Sequence, residues 1–131
     1  MEKIINFLKE NPIFFVATVD ENKPKVRPFG FSMKYNERLY FGTAKEKQTY
    51  KQLMANPNVE LCTFAKDKWI RISGVAVLDD SEETIAKAFD SNPELKQLVN
   101  PQTGLTPAMF YIKYGIAEIA DMKGNIEKIT F

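Results

Sequence analysis

The chain contains no histidine, one cysteine and one tryptophan in 131 residues, and each scarcity removes a class of chemistry. Without histidine there is no Ser-His-Asp triad, no Cys-His pair, no HExxH zinc motif and no histidine-ligated haem. Cys62, alone, forms no internal disulfide and no thiolate cluster. It lies in the apolar run "VELCTF", where a packed thiol is expected rather than a reactive one. An excess of charge of one sign is also missing: 18 basic and 17 acidic residues leave a net charge of +1. No global field draws nucleic acid or a membrane to such a chain, so any anion binding is local. No apolar run approaches the roughly 18 residues of a membrane span, and "MEKIINFLKENP" has no cleavable signal core. The expectation is a cytoplasmic protein with neither a membrane nor a nucleic-acid partner. Its chemistry, if any, falls to carboxylates, Lys, Tyr, backbone groups or a borrowed cofactor.

What is present is an ordinary globular composition, 44% hydrophobic and 27% charged, which fits one domain over residues 1–131. Ile4, Phe7 and Leu8 follow helical spacing until Asn11-Pro12 ends the run. "IFFVATVD", rich in β-branched and aromatic residues, precedes the polar turn "DENKP" and a long alternating run, "KVRPFGFSMKY". The turn "NE" and "RLYFGT" follow. A helix is predicted over 45–55 with Tyr50, Leu53 and Met54 as its apolar stripe, ending at Asn56-Pro57. "NVELCTFA" and "WIRISGVAVLD" form a further hairpin, and Asp80 with Glu83 resembles a capping box for a helix through Phe89. "NPELKQLVNPQTGLTP" is a polar connection with one short helical turn, and "AMFYIKYGIAEIAD", "MKGN" and "IEKITF" close the chain as a hairpin. The expected fold is mainly β: about six strands linked chiefly by hairpins, hence antiparallel, curled into a small barrel with peripheral helices.

Two stretches carry candidate chemistry. In "KVRPFGFSMKY", period-two alternation sets Arg27, Phe29, Phe31, Met33 and Tyr35 on one face. An arginine leading an apolar face needs an anionic partner, either an acid of the chain or a ligand. Pro28 places the strand at an edge or an interruption, and Gly30 permits close approach of a backbone or a ligand. In "YFGTAKEKQTYKQLMANPNVEL", Lys45, Lys47 and Lys51 crowd the start of a helix, the end that already carries partial positive charge. Gly42 allows tight approach and Thr43 is a candidate cap. Free N–H groups there make a phosphate site, with Gln48 and Thr49 adding hydrogen-bonding groups. The pattern is not a nucleotide-triphosphate P-loop; the alternative is a solvated lysine face. Trp69 begins "WIRISG" on the same face as Arg71 and Ser73, at a position suited to capping a core or stacking on a ligand.

Taken in order, "FFVATVDENKPKVRPFGF", "LYFGTAKEKQTYKQLMANPNVEL" and "WIRISGVAVLDD" resemble the pyridoxamine 5'-phosphate oxidase-like family of FMN-binding split β-barrels. The resemblance implies a six-stranded antiparallel split barrel with Greek-key connections. It implies FMN as cofactor, with Arg27, Pro28, Phe29 and Gly30 along the ring and ribityl chain. Gly42, Thr43, Lys47, Gln48 and Thr49, with Lys51 close by, would serve the phosphate. Trp69 would approach the flavin from the partner subunit of a homodimer. The lysine excess would then offset a phosphate monoester carrying about two negative charges. Two departures point away from vitamin B6 oxidation itself: Gln48-Thr49 stand where the oxidases have an arginine-lysine pair, and the histidine-bearing C-terminal substrate region is missing. The expected activity is reduction of a small molecule by a flavin-dependent oxidoreductase with no identified catalytic residue. A non-catalytic flavin-binding or redox-sensing module and a deazaflavin-dependent reductase are the alternatives.

Overall fold

A computed structural model describes residues 1–131. Eight strands and four helices follow one another as α1 (Glu2–Glu10), β1 (Phe14–Asp20), β2 (Lys23–Phe29), β3 (Ser32–Tyr35), β4 (Arg38–Ala44), α2 (Gln48–Ala55), β5 (Asn58–Ala65), β6 (Lys68–Leu78), α3 (Glu82–Ser91), α4 (Leu95–Leu98), β7 (Pro107–Asp121) and β8 (Ile126–Thr130). No helix is long and apolar enough to cross a membrane. The turn residues that the hairpins demand are in place: Asn36 and Glu37 both take positive φ, at 51° and 57°, the conformation of a tight two-residue hairpin loop.

All strand pairing is antiparallel, in the order β2-β1-β5-β6-β7-β4-β3, with β8 added to β7. The path begins at β2 and ends at β3, which only Gly30 and Phe31 separate, so the sheet curls until its edges meet across that link. This is the expected mainly-β split barrel, with eight strands rather than six. One extra strand arises because "KVRPFGFSMKY" is two strands. Phe29 packs at the margin of the main core, whereas Phe31 and Met33 join a second apolar cluster with Tyr40, Ala88 and Met109. Pro24 and Pro28 lie in β2, an end strand of the sheet whose N–H groups need fewer partners. Across the open seam, Phe29 of β2 meets Phe41 of β4 at 6.1 Å between centroids. Each ring also meets its own ladder partner, Phe29 with Phe14 at 6.2 Å and Phe41 with Phe110 at 5.8 Å.

Strand β7 serves two neighbours along one edge. Its first half pairs with β4 and its second half with β8, while β6 runs along its other side. The change of partner coincides with a bulge opposite Gly74, where Tyr114 takes φ 55°. Gly74 is required by close approach: an added Cβ would lie 2.5 Å from Ile112 Cγ2 and 2.8 Å from the Lys113 carbonyl oxygen.

Helix α3 is held to the barrel by a polar anchor. Tyr40 Oη and Thr84 Oγ1 both donate to Asp79 Oδ2, at 2.7 and 2.9 Å, and Tyr35 donates to Glu83. The helix cap is Ser81, whose side chain accepts from the Thr84 backbone N–H at 3.3 Å, not Asp80. The more forward acid is drawn off instead: Asp80 pairs with Lys45 at 3.1 Å. Burial alone pushes the Asp79 carboxyl up. Hydrogen bonds from Tyr40, Thr84 and Ser81 outweigh it and hold the group below the ordinary aspartate value.

Gly74→Ala is expected to lower stability by about 1–3 kcal/mol through overpacking against backbone, read as a lower urea midpoint. Gly30→Ala, whose added carbon would meet only Ile13 Cδ1 at 3.6 Å, should shift the midpoint far less. Because the Asp79 carboxyl is depressed in the fold, its contribution is present above the unfolded value of about 3.9 and is lost as pH falls through the folded one. Urea melts of the protein and Asp79→Asn should therefore differ at pH 7 and converge toward pH 3.

Candidate functional site

The N-terminal end of α2 is left bare by its own sequence. The N-cap is Lys47, in an extended conformation, and no side chain caps the helix. The first turn carries no acid. Glu46, just upstream, is committed elsewhere: it accepts from the Thr106 N–H and hydroxyl at 2.7 and 2.9 Å, and the Thr106 backbone N–H leads in holding its carboxyl below the usual range. Lys45 is occupied by Asp80, whereas Lys47 and Lys51 make no ion pair. A helix start with free donors, positive partial charge and unpaired lysines favours an anion.

What fixes that helix start is a buried polar triangle. Arg27 Nη1 donates to Thr18 Oγ1 at 2.7 Å and to the Val16 carbonyl oxygen at 3.3 Å, and Nη2 donates to Gln52 Oε1 at 2.7 Å. Thr18 donates to the same Gln52 oxygen at 2.6 Å. Every acceptor is neutral; no carboxylate pairs with the guanidinium, and its burial pushes its pKa down. The charge on Arg27 therefore stays uncompensated within the chain. Gln52 and Thr49 are buried for this reason, while Met54 is 54% exposed. The apolar stripe expected at Tyr50, Leu53 and Met54 is thus rotated: Thr49, Gln52 and Leu53 face inward.

Beside α2 a cavity of about 520 Å³ opens between the sheet and the α3–α4 region. Phe29, Gly30, Phe31, Gly42, Thr43, Lys47 and Met109 line its sheet side. Gly42 makes room there for Met109, its cross-strand partner: a Cβ would come within 2.8 Å of Met109 Sδ and displace that side chain. A second cavity, also about 520 Å³, adjoins it under α1 and shares Gly30, Phe31 and Asn92. A third, about 440 Å³, lies between α2 and the β1–β2 turn, lined by Gln48, Lys51 and Gln52.

These three spaces sort the residues singled out from sequence. Phe29, Gly30, Gly42, Thr43 and Lys47 share the first cavity. Gln48 and Lys51 line the third, with Arg27 bonded to Gln52 on its wall. Pro28 stands on the edge strand opposite Phe15, and the Thr49 side chain is buried. The helix begins three residues later than its predicted start, so Thr43 belongs to β4, paired with Ala108, and does not cap it. Lys47 and Lys51 accordingly line different cavities.

Trp69 stands apart. Nine residue steps along β6 take the chain from Trp69 to Leu78, which pairs with Phe110 beside the cavity, a run of about 30 Å at 3.3 Å per residue. It lies on the outward face of the sheet. Phe31, on the face singled out from sequence, does line the cavity. Sequence reasoning missed Met109 and the helical wall; Met109 owes its place to its register opposite Gly42, which no local pattern announces.

A pyridoxamine 5'-phosphate oxidase family model matches residues 1–113. Comparison with curated proteins finds no match. Among solved structures, a NimC/NimA family protein from Clostridium acetobutylicum is 33% identical, with a TM-score of 0.91, covering 100% of this chain and 92% of that one. A pyridoxamine 5'-phosphate oxidase-related, FMN-binding protein from Nostoc punctiforme shares the fold at 14% identity and TM-score 0.63, covering 99% and 95%. A haem-binding protein from Mycobacterium smegmatis shares it at 13% identity and TM-score 0.70, covering 91% of this chain and 52% of that one. The match over residues 1–113, the split barrel it falls on, and the similarity to the Clostridium protein make this chain a member of the pyridoxamine 5'-phosphate oxidase family.

Proposed function

We propose that the protein binds FMN and works as a homodimeric oxidoreductase reducing a small molecule, rather than as a vitamin B6 oxidase. The observation that carries the reading is the bare, acid-free start of α2, with unpaired Lys47 at the rim of a cavity floored by Phe29, Gly30 and Gly42. That donor set fits a phosphate attached to a flat ring: cations and backbone N–H groups at one end, apolar side chains and glycine at the other. Lys47, Thr43 and the first N–H groups of α2 would hold the phosphate, with Lys51, Gln48 and Thr49 behind them. Arg27 adds uncompensated positive charge along β2, and Pro28 shapes that edge. Phe29, Gly30 and Gly42 give the ring an apolar seat.

Bound FMN supplies hydride chemistry that no side chain of this histidine-free protein offers. The chain's own part is to position and to screen the phosphate charge. Haem is the less favoured occupant, because the chain offers no histidine to its iron.

The dimer reading rests on the outward sheet face. Phe64 pairs with Trp69, Trp69 with Ala120, and Ala120 with Ile126, a row of apolar side chains crossing four strands. Phe15 and Ile116 lie on the same face, and Phe64 and Ile126 are 67% and 65% exposed. The Arg71–Glu118–Lys128 ion pairs separate this row from Ile116; an exposed apolar row rimmed by charge marks an interface, and it would carry Trp69 to a partner's site rather than to its own.

Lys47→Ala is expected to weaken FMN binding about tenfold, since a charge-assisted contact contributes roughly 1.5 kcal/mol or more, and Lys51→Ala, in the neighbouring cavity, should weaken it less. Flavin fluorescence titration measures it, and an unchanged dissociation constant would remove the phosphate assignment. Repeated reduction and reoxidation with a nicotinamide donor and an acceptor would establish an enzyme. Stable binding without turnover would favour a flavin carrier. Phe64→Glu should convert a dimer to a monomer in sedimentation velocity while the circular dichroism spectrum stays unchanged; a wild-type monomer would end the interface reading.

A further inference from the structure

The cavity beside α2 has a second wall that the phosphate and ring contacts leave unused. Ile85 and Phe89 of α3, Leu95 and Leu98 of α4, and Val99 and Leu105 of the following connection line it. These side chains are only partly packed; Leu98 is 62% exposed on a helix four residues long. Apolar groups held open toward a concave space, opposite a sheet wall, suit a small apolar ligand. The polar groups are few. Of the residues around the whole cavity, Lys47 and Glu94 alone are ionisable. Glu94 forms no ion pair. Its backbone N–H donates to Asn92 Oδ1 at 3.3 Å, which leaves the Asn92 amide nitrogen free to donate to a ligand.

We propose that this helical wall is the seat of the acceptor, and that it takes a flat, apolar molecule that is neutral or cationic and carries one hydrogen-bond acceptor, while rejecting anions. The inference rests on the flavin reading in one respect: it gives Lys47 and the sheet wall to the cofactor. With Lys47 engaged by a phosphate, Glu94 is the one charge an incoming molecule meets. A carboxylate approaching Glu94 in a partly dry cavity is repelled more strongly than in bulk water, and a cation is attracted. The α3 part of the wall is anchored by Asp79 through Tyr40 and Thr84, and α4 packs against α3.

The test uses three probes of one shape and different charge: benzyl alcohol, benzylamine and benzoate. Leucine methyl spectra of the protein, with and without FMN, report binding at Leu95, Leu98 and Leu105. Benzyl alcohol and benzylamine should shift those methyls, and benzoate should bind at least tenfold more weakly. Glu94→Lys should reverse the order of benzylamine and benzoate, and Leu98→Asp, at an exposed position, should weaken benzyl alcohol about tenfold. Benzoate binding as well as benzyl alcohol, methyls that ignore all three probes, or an order unmoved by Glu94→Lys would each overturn the proposal. Failure of FMN to bind would instead strike the flavin reading, and the charge preference of the wall would then be read in flavin-free Lys47→Ala, where no unpaired lysine at the rim attracts benzoate.

Discussion

Everything near the site depends on a half-buried guanidinium with no acid to answer it. Arg27 reaches from the edge strand β2 to Thr18 on β1 and Gln52 on α2, tying the helix to the β1–β2 hairpin. Had the chain supplied a carboxylate, the pair would be neutral and self-contained. Neutral acceptors satisfy the geometry of the donors and leave the charge in place. A buried charge of this kind is costly unless well hydrogen-bonded, and here the bonds also set the rotation of α2. With Gln52 and Thr49 turned inward, the helix start and Lys47 come to the rim of the cavity.

The second constraint is the break at Gly30-Phe31. A continuous strand would have presented Phe29, Phe31 and Met33 to one core. The break sends Phe29 to the main core and Phe31 and Met33 to a smaller cluster under α3. The gap between those clusters is the cavity. The Tyr40–Asp79–Thr84 anchor then matters beyond its own bonds, since it holds the far wall of that gap at a set distance from the sheet.

Much of the fold was legible in the chain. Turn pairs such as Asn36-Glu37, the proline stops after α1 and α2, and the alternation of Ile70 and Ile72 against Trp69 and Arg71 are local signals, and local sterics enforce them. The misjudged details share a cause. Asp80 and Glu83 had the spacing of a capping box, yet Lys45 and Tyr35, distant in sequence, claimed their carboxylates. Met54 looked like core because the period was read without the Arg27 triangle, which turns Gln52 inward instead. Thr43 looked like a cap because nothing local shows that β4 continues through Ala44, paired with Pro107.

By itself the sequence determined which chemistry was open. Without histidine, and with one cysteine, a histidine- or thiolate-held metal centre and a histidine-based triad had no means of forming, and three lysines crowded at a helix start pointed to an anion or to solvent. It also determined antiparallel hairpins, because turn residues and period-two alternation act over a few bonds. Tertiary structure alone decided which lysine faces which cavity and that Met109 sits on Gly42. It likewise decided that Trp69 lies far from the pocket of its own chain. Those facts follow from strand register and helix rotation, which are set by contacts between residues distant in sequence and leave no periodic trace along the chain.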